Sequence, residues 1–149
     1  MSAWKVIVRA LLGSGLCILL AALIWPVELT NPQPHSDLPA PQAVRNILRR
    51  SCSDCHSNET RWPWYAAIPP ASWLVVRDVT IGRKEMNFSN WTLYSTAVRT
   101  RKARWMNRSL QQENMPPWEY RLVHPDARVT EAERIELERW LRLQMGNAP

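Results

Sequence analysis

Three patterns are missing from this sequence, and each absence excludes something. Cysteine is scarce, with three residues in 149, at positions 17, 52 and 55. A structural zinc site takes four ligands, usually from two paired clusters. Here Cys52-x-x-Cys55 has no second pair, His35 lies in a proline-rich stretch, and only His124 is left as a distant fourth ligand beside His56. Strand-like alternation of apolar and polar residues is absent throughout, so the chain reads as all-α. That removes the βαβ setting in which a CxxC pair opens a helix as a thioredoxin-like dithiol. The chain also has no internal repeat.

Charge is the third absence, from Ala10 to Val27. Eighteen helical residues at ~1.5 Å each cover about 27 Å, close to the hydrocarbon thickness of a bilayer. Lys5 and Arg9 precede the run, which places the N-terminus in the cytoplasm and everything after Val27 on the far side. The run ends Ala21-Ala22-Leu23-Ile24-Trp25-Pro26 without a small-x-small cleavage site, and Trp25 suits an interfacial position. Leu16 stands before Cys17 where a lipoprotein needs a small residue. Residues 1–27 are therefore expected to be an uncleaved inner-membrane anchor, with the rest of the chain periplasmic.

What is present begins with proline. Pro32, Pro34, Pro39 and Pro41 recur through residues 28–41, the composition of an extended, semi-rigid stalk. The formal net charge is +6, of which +4 lies after Val27 (17 Lys and Arg against 13 Asp and Glu). Such a surface suits acidic partners or anionic headgroups. Its arginines do not alternate with stacking aromatics, so nucleic acid is not an expected partner. From Gln42, Val44, Ile47 and Leu48 take helical spacing. Pro70 opens a second helix, with Trp73, Leu74, Val76 and Val79 on one side and Gly82 as its stop. Ser89 is read as the cap of a third helix, carrying Trp91, Tyr94 and Val98, which ends before Pro116. Thr130 and Glu133 form a capping box ahead of Ile135, Leu137, Trp140, Leu141 and Leu143.

The first of these helices runs straight into Cys52-Ser53-Asp54-Cys55-His56. C-x-x-C-H is the signature of covalent haem attachment. Each thiol adds across a porphyrin vinyl group, and the adjacent imidazole reaches the iron. Thiols three residues apart on a helix project to one side, as the two vinyls require. For the other axial position the candidates are Met86, Met106, Met115, His124 or no protein ligand. Met106 reads as core, Met86 lies in a charged connection, and His124 precedes Pro125 in a loop. Met115 precedes Pro116 and Pro117, which end any helix and hold the thioether on a stiff extended segment. Histidine–methionine ligation raises a haem's reduction potential. Trp62, Trp64, Tyr65, Trp73, Trp91 and Trp118 are candidates for the porphyrin's walls, and Arg49 and Arg50 for its propionates.

"MPPW", a capping box and a closing helix ending "ERWLRL" resemble the second half of a class I cytochrome c. More closely, "WPWY", "IPPASW", "GRKEMNFSNW" and "MPPWEYRLVHPDARVT" resemble the small bacterial haem-binding domain family, over roughly residues 42–143. Members often read MPL where this chain has Met115-Pro116-Pro117. The resemblance implies a cytochrome c-like domain over residues 42–149, with haem c on Cys52 and Cys55 and iron held by His56 and Met115. The function expected is one-electron transfer with membrane redox enzymes or other cytochromes. The alternative is a haem enzyme or a gas or redox sensor with an open distal side, although no distal His/Arg pair of the peroxidase kind is evident. A haem-dependent assembly or regulatory subunit is a third possibility.

Overall fold

The computed structural model describes residues 3–23 and 27–146. Every regular element among them is helical. The chain divides into two units: Met1–Thr30 with Trp62–Arg77, and Asn31–Arg61 with Asp78–Pro149.

The first unit contains α1 (Ala3–Leu23), a 3-10 turn (Trp64–Ala67) and the opening residues of α4 (Ala71–Glu85). Leu11, Leu12, Leu16 and Ile18 of α1 are exposed. The expected membrane span is not matched in full. Among the described residues no helix is long and apolar enough to cross a membrane. The helix begins ahead of the uncharged run and so takes in Lys5 and Arg9, while residues 24–26, Trp25 included, lie outside the described residues. In α4, Trp73 and Leu74 are exposed rather than core, and Val79 alone of the expected stripe is fully buried.

The second unit is built on three helices: α2 (Gln42–Ser51), α5 (Thr96–Gln111) and α7 (Glu131–Gln144). Their apolar stripes meet in one core. Val44, Ile47 and Leu48 come from α2, Ala103, Met106 and Leu110 from α5, and Leu137, Trp140 and Leu141 from α7. Trp91 fills the centre, completely buried, with its ring 5.6 Å from that of Trp140. Burying one such side chain stabilises the fold by roughly 1.5–3 kcal/mol. The capping box of α7 forms as expected: Thr130 Oγ1 accepts the Glu133 N–H, and the Glu133 carboxylate accepts the Thr130 N–H. Ile135 and Leu143 face solvent.

Two expected boundaries move. Gly82 does not stop α4, which continues to Glu85; the glycine is needed there for another reason, given below. Nor does Ser89 cap a helix. Residues Phe88–Leu93 form a 3-10 turn capped by Asn87, and α5 starts later behind Ser95. The hydroxyl of Ser89 is already engaged, accepting the Asn58 N–H at 3.0 Å.

The proline-rich segment has little regular structure, yet from Asn31 onward it is fastened to this unit. The His35 N–H donates to Ser89 O at 3.0 Å, Asn31 Nδ2 to Thr60 O at 2.9 Å, and Leu38 and Ala40 pack on the core.

Candidate functional site

Helix α2 breaks at Cys52, whose φ of −133° leaves the helical range, and a single turn, α3 (Ser53–His56), follows. The break belongs to the CxxCH segment itself. The His56 N–H returns to Cys52 O at 3.0 Å, closing the turn on which both thiols and the imidazole ride. Both cysteines are free and half-buried. Burial pushes Cys52 up to about 12 and, with the carboxylates of Asp78 and Asp54 adding to it, Cys55 to about 11. These are protonated thiols at neutral pH, the opposite of the low-pKa thiolates that run dithiol exchange.

His56 is buried, and its Nδ1 lies 2.9 Å from Gly82 O and 3.0 Å from Met86 O. Carbonyl oxygens only accept, so Nδ1 carries the proton and Nε2 keeps its lone pair. Burial lowers the imidazole's pKa, which keeps the ring neutral. A metal-binding histidine characteristically donates its other nitrogen to a backbone carbonyl, fixing tautomer and orientation. Phe88 and Trp105 flank the ring at 6.2 and 6.4 Å between centroids.

Gly82 makes this arrangement possible. A Cβ at this position would lie 2.5 Å from Cys55 O and 3.1 Å from Cys55 Cβ. Only a bare backbone lets α4 approach the cysteine turn closely enough for its carbonyl to reach the imidazole.

Polar bonds hold the turn from outside. The half-buried Asp54 carboxylate accepts the Arg61 N–H, Nε and Nη2, each at 3.1 Å, and Tyr120 Oη at 2.7 Å. Asn58, just after the turn in sequence, joins Asn87 in a buried amide pair: Asn87 Nδ2 donates to Asn58 Oδ1 at 2.7 Å, and Asn87 Oδ1 accepts the Ser89 N–H at 3.0 Å. Arg83 ties the same loop down through Ser57 O and Thr60 Oγ1.

The structure brings Cys52, Cys55 and His56 onto one turn. Met115 belongs to a different segment, half-buried on the non-helical stretch between α5 and α6 (Trp118–Val123). It lines an open cavity of about 600 Å³ with Leu110, Pro116, Trp118 and Val129, a lining that includes none of the CxxCH residues. Met86 is in the core, and its carbonyl faces Nδ1 of His56, the side away from a metal on Nε2. Met106 is core as expected, and His124 stacks on Tyr120 at 4.4 Å. Among the expected aromatic walls, Trp91 is buried against Trp140, and Trp118 is exposed. Trp62, Trp64, Tyr65 and Trp73 belong to the first unit. Arg50 is committed to Glu133 through two bonds of 2.8 Å.

Sequence reasoning gave no role at the site to Gly82, Asp54, Tyr120 or Trp105. Asn87 had a readable signal, because Asn-x-Ser ahead of a turn invites a side-chain cap.

Residues 17–143 match the sequence profile of the haem-binding domain family. The chain belongs to that family. Its CxxCH turn, neutral imidazole and protonated thiols fit the cofactor in the family's name. This haem-binding domain protein is also similar to the cytochrome c peroxidase Ccp of Escherichia coli (strain K12), at 26% identity over 147 residues. The match takes in 90% of this chain and 31% of the peroxidase, so the chain spans about a third of that relative's length. No solved structure matches it.

Proposed function

We propose that this protein carries one covalently attached haem c and transfers single electrons through it. In this reading Cys52 and Cys55 form the thioethers, and His56 Nε2 and Met115 Sδ are the axial ligands of a cytochrome c-like site. One observation carries the proposal. His56 is a neutral, fixed imidazole, with its proton on the nitrogen bound to Gly82 and Met86, directly after two protonated thiols. Bound haem iron supplies the one-electron couple. The chain's own contribution is to orient the ligand, keep it uncharged and surround it with Phe88 and Trp105. Met115, on its proline-stiffened segment, is the soft donor best freed from helix and core.

The test uses the full chain, produced with a cytochrome c maturation system. The expected product is a pigment that resists acidic acetone, with a weak red-end methionine–iron band in the oxidised state. Met115→Ala is expected to abolish that band, whereas Met86→Ala is expected to keep it. Extractable pigment would overturn the covalent reading, and a band lost only in Met86→Ala would reverse the ligand assignment.

A peroxidase-like activity is the second reading, favoured by the similarity to Ccp. A high-spin oxidised spectrum with peroxide turnover in the wild type would select it. We also place the protein at the inner membrane, with its haem domain on the periplasmic side and membrane redox enzymes or cytochromes as partners. The exposed apolar residues of α1 support that placement. The full chain is expected to sediment with membranes, and Leu12→Arg with Leu16→Arg to release it; equal sedimentation of both would refute the placement.

A further inference from the structure

The carboxylate between the two cysteines does something that the haem reading leaves unexplained. The Asp54 carboxylate is only 12% exposed and accepts from both Arg61 and Tyr120. Three of its four hydrogen bonds come from Arg61, a near neighbour in sequence. The fourth spans 66 residues. Tyr120 Oη donates to Asp54 Oδ2 at 2.7 Å, the length of a strong bond to a carboxylate. Tyr120 sits in α6, which begins immediately after Met115-Pro116-Pro117. Its ring stacks on His124, and the His124 N–H returns to Tyr120 O at 2.9 Å, so the phenol is held by its own helix at one end and by Asp54 at the other.

We infer that Asp54 and Tyr120 form a clamp that sets where the methionine segment stands relative to the cysteine turn, making both positioning residues for the distal ligand. The inference rests on the reading of Met115 as that ligand. The physical reason is leverage. Cys52 and Cys55 fix the porphyrin to α3, whereas Met115 belongs to a different segment whose position must be set by other bonds. The Asp54–Tyr120 bond joins the residue between the thioether positions to the helix that Met115 leads into. Two prolines transmit its position with little slack, because each fixes its own φ. With the clamp closed the protein behaves as a carrier. With it open, the thioether dissociates more readily and exogenous ligands gain access.

The test uses the full-length holoprotein and compares wild type, Tyr120→Phe, Asp54→Asn and the double variant. Imidazole serves as the probe ligand that displaces methionine from oxidised iron. Losing one charge-assisted hydrogen bond is expected to raise the apparent imidazole affinity by about tenfold or more. The double variant is expected to match Asp54→Asn, since Asp54→Asn already weakens the bond to Tyr120 along with the bonds from Arg61. Covalent haem content is expected to stay at one per chain in Tyr120→Phe, which leaves the attachment motif intact should Asp54→Asn fail to mature. Ser95→Ala, which removes the side-chain cap of α5, serves as a destabilised control and is expected to lower the melting temperature without changing imidazole affinity. Unchanged imidazole affinity in Tyr120→Phe, or an equal rise in Ser95→Ala, would overturn the clamp. The wild-type spectrum reads the underlying assignment separately: absence of the methionine band in wild type would sink the ligand reading, and the clamp with it.

Discussion

Replacing Gly82 by alanine tests the packing of the site in one step. In a helix interior this exchange ordinarily stabilises by about 1 kcal/mol. Here the new methyl carbon would stand 2.5 Å from Cys55 O and 3.0 Å from Cys55 C. Carbon contacts are comfortable near ~3.5 Å, so α4 and the cysteine turn must separate by about 1 Å. The atoms in the way are backbone and cannot swing aside as a side chain would. Overpacking of this kind costs roughly 1–3 kcal/mol or more, and this site belongs at the upper end. After the helical gain is subtracted, about 2 kcal/mol of destabilisation remains, or a melting temperature lower by roughly 10 °C for a domain near 100 residues. The separation also pulls Gly82 O from Nδ1 of His56, so the spectrum of the matured protein is expected to change along with its stability. Thermal melts by circular dichroism, paired with oxidised and reduced spectra, read both effects. A Gly82→Ala protein that melts at or above wild type with an unaltered spectrum would refute the close-approach argument.

Acid behaviour gives a second expectation. Hydrogen bonding to Arg50, helped by the Thr130 cap, holds Glu133 down to about 2. A carboxylate whose folded pKa is depressed contributes its stability above the unfolded value near 4.5, and loses it as pH falls toward 2. Both partners are partly exposed, so solvent screening leaves about 1 kcal/mol. Glu133→Gln retains the capping box and is expected to lie below wild type at pH 7 and converge with it near pH 2; parallel melting curves across that range would contradict the assignment. Third, Asn87→Ala strips Asn58 Oδ1 and the Ser89 N–H of their partners in a buried setting. The expected cost is about 1–3 kcal/mol in denaturant unfolding, and a variant indistinguishable from wild type would show that the amide pair is dispensable.

How far the sequence could be read depended on the range of the interaction. The CxxCH segment, the α2 stripe and the Thr130–Glu133 box are local patterns, and all were legible. Gly82 was misread because a glycine near a helix end looks like a stop, and only the proximity of Cys55, twenty-seven positions earlier, explains why it sits inside the helix. Ser89 was misread because its hydroxyl serves Asn58 and not the next helix. Trp73 and Leu74 fit a helical stripe by spacing yet lie exposed, since periodicity says which residues share a face and not which face is covered. Asp54 and Tyr120 left no local trace. Their meeting is a property of the folded chain alone.

The oxygen of Gly82 receives two protons' attention at once, from the ring of His56 and from the Met86 N–H that closes the final turn of α4 at 2.9 Å. Fraying that turn would hand the imidazole a less crowded, stronger acceptor from one residue while withdrawing the Met86 oxygen that travels with the chain end. In the proposed haem reading, the electron-donating power of the ring would therefore be coupled to the melting of a single helical turn, so that a disturbance at Glu85 or Met86 would reach the cofactor without touching it.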